Sequence, residues 1–183
     1  MKNKNLKYAL FAIAALVITA ITIACSTKKG KMSSKVVVVQ NFDVNRYVGQ
    51  WYEIARQDFK HEKDLKNVTA NYSKRDDGKI AVVNKGYNYV KNEWEEAHGK
   101  AKFNGPENKG ALKVSFFGPF YSEYNIVMMD PAYETALIFG ESTDYIWILS
   151  RNKTIPEANK QKFVAYAKEQ GYDIKRLVWT IQD

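Results

Sequence analysis

Between Tyr52 and Ser150 the chain is broken at short intervals by residues that favour tight turns: Asp76-Asp77-Gly78, Asn104-Gly105-Pro106, Gly118-Pro119, Asp130-Pro131 and Gly140-Glu141-Ser142. The segments between them are rich in β-branched and aromatic residues, a pattern of successive strands. They predict eight strands, at residues 52–56, 67–74, 80–89, 93–103, 111–117, 121–129, 135–139 and 145–150. Asp77-Gly78 is the strongest of the turn signals, because a two-residue hairpin turn needs positive φ and Gly supplies it without steric cost.

Eight short strands joined by hairpin-length links can close into an up-and-down barrel, which removes the two unpaired edges of an open sheet. A β-sandwich uses the same strand lengths and turns and stays open as an alternative. The fold class expected is all-β: an eight-stranded antiparallel barrel with one α-helix packed outside. A barrel of eight strands is filled by its own side chains or encloses one small ligand.

Alternation decides which residues face inward. Lys113 and Ser115 mark the wet face of the fifth strand and place Leu112, Val114 and Phe116 inside. In the fourth, Lys100 and Lys102 place Ala97, Gly99, Ala101 and Phe103 inside. With Ala55 and Ala70 as further inward candidates, these small residues predict an apolar interior with room in it.

After the strands, Thr154-Ile155-Pro156-Glu157 reads as a capping box opening a helix, with Thr154 as N-cap and Pro156 where a missing N–H costs nothing. The helix should run to Gln170 and stop at Gly171, with Ile155, Ala158, Phe163, Tyr166 and Ala167 available for one face. Leu177, Val178, Trp179 and Ile181 suggest a short final strand.

The front of the chain needs its own account. Lys2, Lys4 and Lys7 precede an apolar run, residues 8–24, that ends in Thr22-Ile23-Ala24-Cys25-Ser26. This predicts a signal peptide over residues 1–24, with a retained membrane helix as the alternative. A small residue followed by Cys resembles the lipobox of bacterial lipoproteins, although Thr22 stands where an aliphatic residue is usual. Cys25 is the single cysteine, which leaves no partner for an intrachain disulfide and makes it the expected lipid attachment point. Residues 25–35 then form a lysine-rich tether, and residues 36–183 the barrel domain. Ser26 after the cysteine resembles the pattern of lipoproteins sorted to the outer membrane of Gram-negative cells.

Charge follows the same division. The chain carries 28 Lys and Arg against 20 Asp and Glu, but seven of the basic residues precede Val36 and no acidic one does. The barrel domain is therefore almost neutral, which argues against nucleic acid as a partner. The two histidines, His61 and His98, belong to no metal-ligand spacing, and no nucleophile with a base stands out. The expectation is a protein that is not an enzyme and needs no cofactor.

Arg46-Tyr47-Val48-Gly49-Gln50-Trp51-Tyr52-Glu53-Ile54-Ala55-Arg56, followed by Ala70-Asn71-Tyr72, Asn84-Lys85-Gly86-Tyr87, Lys113-Val114-Ser115-Phe116-Phe117-Gly118-Pro119-Phe120-Tyr121 and Tyr145-Ile146-Trp147-Ile148-Leu149-Ser150-Arg151, resembles the lipocalin family over essentially all of residues 41–183. Within the family it resembles the bacterial outer-membrane lipocalins, which are similar to apolipoprotein D. The resemblance makes Gly49 and Trp51 the first signature, and Asp130 and Tyr133 the second, with Met129 where the family carries Thr. It makes Arg151 the third, lying across the Trp51 indole at the closed end. It also implies that Leu149, Trp147 and Tyr145 face inward. Trp147 is then the first choice for a ligand wall, with Phe116, Tyr124, Met128, Tyr145, Ala55 and Ala70 as further ligand-binding candidates.

The partners implied are a fatty acid or lysophospholipid and the membrane that holds the N-terminal lipid, with a homodimer left open. Prostaglandin-forming lipocalins use a cysteine in the barrel, and this barrel has none. The competing expectation is an envelope scaffold or adhesion module with a filled barrel and no ligand.

Overall fold

The computed structural model describes residues 36–59 and 62–183. The expected signal peptide, Cys25 and the tether lie outside the described residues, as does His61. A one-turn helix, α1 (Val44–Tyr47), is capped by the Asp43 side chain, which accepts from the Asn45 N–H at 2.9 Å. Eight strands follow: β1 (Gly49–Gln57), β2 (Leu65–Lys74), β3 (Ile80–Asn88), β4 (Glu93–Phe103), β5 (Ala111–Ser115), β6 (Ser122–Met129), β7 (Thr135–Phe139) and β8 (Ile146–Ser150). Then come α2 (Glu157–Glu169), a 3-10 turn (Ile174–Arg176) and β9 (Leu177–Trp179).

From β1 to β8 each strand pairs antiparallel with the next, and β1 closes the ring by pairing with both β8 and β2. The sandwich alternative is thereby excluded, and the expected barrel is present. Closure between β1 and β2 covers only Gly49–Tyr72 to Tyr52–Thr69. Above that point β9 takes the vacated edge of β1, from Ala55–Trp179 to Gln57–Leu177. The Gln182 amide continues the seam by donating to the carbonyls of Glu53 (2.8 Å) and Val68 (2.9 Å), one on each wall of the gap.

The ladders carry three register shifts, in β1, β2 and β6, and those in β1 and β6 set the phase of the walls near the lumen. In β1 the register with β8 shifts between Glu53 and Ala55, and in β6 the register with β7 shifts between Ile126 and Met128. A bulge adds one residue and so inverts the in-out assignment beyond it. Trp51 and Glu53 therefore share the lumen side with Arg56, the Cα partner of Trp147, while Ala55 turns outward. Likewise Ile126 and Met129 belong to the interior cluster, and Val127 and Met128 to the outer one.

The outer cluster holds Ile54, Ala55, Val127, Leu137, Phe139, Ile146 and Ile148 under Phe163 and Ala167 of α2 and Tyr172. The Phe139 ring lies 4.4 Å from that of Tyr172. Burying these two side chains of α2 contributes roughly 2 to 4 kcal/mol, enough to hold a helix of only 13 residues that would be marginal alone. The helix ends as the sequence suggests: Gly171 takes φ +92°, and the N–H groups of Gly171 and Tyr172 return to the carbonyls of Lys168 and Ala167. Its start differs from expectation. Pro156 is the N-cap with no side-chain cap, and the Thr154 carbonyl accepts instead from the Ser150 hydroxyl at 2.9 Å. Ala158 is exposed rather than on the packed face.

Candidate functional site

The hairpin links place the loops β1–β2, β3–β4, β5–β6 and β7–β8 at one end of the barrel and α1, the β6–β7 turn and Arg151 at the other. The latter end is sealed. Arg151 spans the Trp51 indole with its guanidinium carbon 3.9 Å from the ring centroid. Its N–H groups donate to the carbonyls of Gln50 (2.7 Å), Arg46 (2.8 Å), Val48 (2.9 Å), Tyr47 (3.0 Å) and Tyr133 (3.3 Å). Gly49 is required beneath it: its φ is +98°, and a Cβ there would lie 3.3 Å from Arg151 Nη1. Asp130 organises the β6–β7 turn, accepting from the N–H groups of Ala132, Glu134 and Thr135 and from the Thr135 hydroxyl. Tyr133, at φ +64°, accepts from the Asp43 N–H and carries the Arg46 guanidinium on its ring, so the turn fastens α1 to the barrel.

Above the seal lies a floor of aromatic side chains. Tyr47, Tyr72 and Tyr124 meet hydroxyl to hydroxyl, with Tyr124 at 2.6 Å from Tyr47 and 2.9 Å from Tyr72. Burial pushes all three phenols upward, Tyr72 to about 12. Trp51 is paired across the β1–β2 ladder with Ala70, whose small side chain makes space for the indole. Ala70 is therefore part of the packed floor and not of an open space, and Tyr124 belongs to the same floor. A depression of about 520 Å³ between Val39, Arg46, Met129, Pro131 and Tyr133 lies outside this seal.

The upper half of the lumen is built differently. Trp147, Phe116, Val114 and Asn84 are only half buried, and Ala97, next to Asn84 on the β3–β4 ladder, is exposed although it has lumen parity. Phe116 leans across Gly99, its ring atoms 2.8 Å from where a Cβ would stand. The glycine thus makes room for a neighbour. Phe59 from the β1–β2 loop meets Tyr145 and Trp147 edge-on, at 5.8 and 6.0 Å between centroids, which places Tyr145 at the rim. Of the expected ligand-binding residues, Trp147, Phe116 and Tyr145 gather here. Ala55 and Met128 do not, because the bulges turn them toward the outer cluster.

Two charged residues that sequence reasoning missed sit among them. Arg56 and Glu53, 1% and 3% exposed, are joined at 2.7 Å. Thr180, delivered by the seam beyond β9, donates to Glu53 at 2.6 Å and accepts from Arg56 at 3.1 Å. Glu62 reaches in from the β1–β2 loop: its carbonyl accepts from Arg56 Nη2 at 2.5 Å, and its carboxylate accepts from the Trp147 indole N–H at 3.1 Å. Burial first and the charge of Glu53 second push the Glu62 carboxyl up to about 8, against the pull of Trp147 and Arg56. For Arg56, burial lowers the guanidinium and Glu53 outweighs it, so the net direction is up. The sequence signal was a charged pair inside a strand that is otherwise apolar.

An antiparallel eight-stranded barrel with an outer helix, a Gly-x-Trp entry and an arginine seal over that tryptophan defines a lipocalin. The family model for the lipocalin-like domain matches residues 42–182, and the chain belongs to that family. It is 46% identical over 170 residues to the outer membrane lipoprotein Blc of Escherichia coli K12, covering 93% of this chain and 95% of that one. With the protein of the same name from Vibrio cholerae it shares 45% identity over 152 residues, 82% of this chain and 89% of that one. Among solved structures, insecticyanin from the tobacco hornworm aligns with a TM-score of 0.65 at 18% identity, over 82% of this chain and 86% of that one, a likeness of fold alone.

Proposed function

We propose that the barrel stores or carries one small single-chain amphiphile, a fatty acid or a lysophospholipid, in the upper half of its lumen, and that it is a binder and not an enzyme. The observation that carries this reading is the contrast between residues of the same parity. Trp51, Tyr72, Leu112, Ile138 and Leu149 are buried, whereas Trp147, Phe116, Asn84 and Ala97 keep access to solvent. Partly accessible aromatic side chains on the inside of a barrel offer apolar contact to an acyl chain, and the few polar groups at the mouth suit a head. Trp147, Phe116 and Tyr145 are the proposed wall. The Tyr47–Tyr72–Tyr124 floor bounds its depth.

The chain is an outer-membrane, lipid-anchored protein, in keeping with relatives that are outer membrane lipoproteins across nearly their whole length. We further propose Cys25 as the attachment point. Alignment over 93% of the chain takes in that position, and more than one acyl chain on it would give stable attachment. Two experiments test these readings. Native mass spectrometry of protein beginning at Ser26, purified without detergent, should show a co-purifying or added fatty acid or lysophospholipid in a one-to-one complex. Failure of palmitate and lysophosphatidylethanolamine to bind would leave the filled scaffold. Cys25→Ser should be exported without acyl label, and persistence of label after a carbonate wash would defeat the anchor.

A further inference from the structure

We propose that Arg56 is the subsite for the anionic head of that amphiphile, and that the Glu62 carboxyl group stands where the head's oxygens would sit. The inference rests on the proposed lumenal binding and names the chemistry it selects: a carboxylate or a phosphate at the mouth, with the acyl chain running down past Trp147 and Phe116.

The geometry carries it. Arg56 is almost wholly buried on the lumen side, opposite Trp147, because the bulge at Glu53–Ala55 turns it inward. One edge of its guanidinium is committed, with Nη1 donating to Glu53 and to Thr180. The other edge, Nε and Nη2, is the one that grips planar or tetrahedral oxyanions in two-pronged fashion. On that edge Nη2 donates to the Glu62 carbonyl at 2.5 Å and lies 3.5 Å from Asp58, and Nε has no hydrogen-bond partner. Glu62 Oε2 lies 3.7 Å from Nε, too far for a hydrogen bond yet facing it, and it accepts from the Trp147 indole. A buried N–H left unsatisfied is costly, and a guanidinium edge that faces a poorly fitting, protonated carboxyl group is poised to exchange it for an anionic one. Glu62 comes from a loop, so leaving requires no strand to break.

The groups facing Glu62 fix the sign of its pH dependence. Arg56 and the Trp147 indole hold its charged form, while burial, Glu53, and Asp58 oppose it. In place, Glu62 keeps its proton up to about pH 8; swung into water it would return to an ordinary carboxyl value near 4.5. Displacement by a ligand therefore releases a proton between those values, and affinity should rise with pH across that window and level off above it.

The test titrates wild-type protein with three probes, palmitate, lysophosphatidylglycerol and hexadecanol, following Trp fluorescence. The first two carry the two possible anionic heads, and the third has the chain alone. Wild type should prefer one or both anionic probes over hexadecanol by about tenfold or more, a loss expected for one charge-assisted pair. Glu53→Gln with Arg56→Met, which removes both buried charges together, should erase that preference. Equal preference in wild type and the double variant overturns the proposal, and no binding of any probe by wild type overturns the lumenal reading with it. Glu62→Gln, a loop substitution that keeps an acceptor for Trp147, tests it independently of that variant's folding. Wild-type affinity for lysophosphatidylglycerol, ionised throughout, should climb from about pH 5 to about pH 8, and that climb should vanish in Glu62→Gln. A climb that persists in the variant, or is missing from wild type, sinks the role of Glu62.

Discussion

Arg151, half-buried, and Arg56, fully buried, stand at opposite ends of this barrel and are held in different ways. Arg151 is bound by five backbone carbonyls and an indole face, partners fixed by the fold. Arg56 is bound by the Glu53 carboxylate, the Thr180 hydroxyl and the carbonyl of Glu62, with the loop side chains of Asp58 and Glu62 at 3.5 and 3.7 Å, and its Nε has no hydrogen-bond partner. The carbonyls around Arg151 are fixed by α1, the start of β1 and the β6–β7 turn, whereas the Asp58 and Glu62 side chains beside Arg56 hang from a loop and can rotate away. The closed end is built to stay as it is, and the open end to exchange partners. The tyrosine floor, satisfied within itself, belongs with the first.

The largest effect should come from Arg151→Ala. It strips a cation–π contact and takes the donor from five backbone carbonyls, three of them part-buried, for a loss of about 3 kcal/mol in chemical denaturation. Palmitate affinity should stay within a factor of three. A large affinity loss in a variant of wild-type stability would break the comparison, because Arg151 would then reach the ligand.

Next is Tyr124→Phe, which takes away the oxygen that both Tyr47 and Tyr72 contact, and should cost about 1 to 2 kcal/mol in the same assay with little effect on binding. The floor also has an alkaline signature. Phenols raised in the folded state contribute stability that is complete below their unfolded value near 10 and is lost as pH rises through the folded value. With Tyr72 at about 12, melting temperature should fall steeply between pH 10 and 12, and the share of tyrosinate absorbance that the three floor rings contribute should appear only as the protein unfolds. Early titration of these rings in folded protein would show the floor to be wet.

Trp147→Ala acts at the other end. It should weaken fatty-acid binding at least tenfold, about 1.4 kcal/mol, while a half-buried site keeps the cost to folding below that of Tyr124→Phe. Unaltered titrations in a cooperatively folded variant would remove Trp147 from the wall. The smallest effect belongs to Thr154→Ala. A true N-cap would cost about 1 kcal/mol, but Thr154 caps nothing, so the change should be within about 0.5 kcal/mol.

How much of this was legible in the sequence depends on the phase of β1 and β6. Turn chemistry and alternation located all eight barrel strands within a few residues, and Gly49, Trp51 and Arg151 carried the closed end through the resemblance. Strict alternation from Trp51 puts Ala55 inside, and from Tyr124 it puts Met128 inside. Each strand inserts one residue after that starting point, so Ala55 and Met128 face the helix, and Arg56 and Met129 take their places. A bulge leaves no mark in a pattern of apolar residues when the residues on both sides are apolar. Small residues misled for a related reason. Ala70 and Gly99 are small because Trp51 and Phe116 lie against them, and size alone does not distinguish a gap from a neighbour's place.

The seam between β1 and β2 has a consequence for how the molecule comes into being. Tyr52 pairs with Ser150, Ala55 with Trp179, and Gln182 bridges Glu53 to Val68, so the earliest strand waits for the latest residues before the wall is whole. A growing chain leaves the ribosome N-terminus first, and contacts of such long sequence separation form slowly. Most of the barrel can be synthesised while none of it can close. Once β8 has met β1 the ring is closed, and residues 177–183 then cover the gap that β1 and β2 leave above their short ladder.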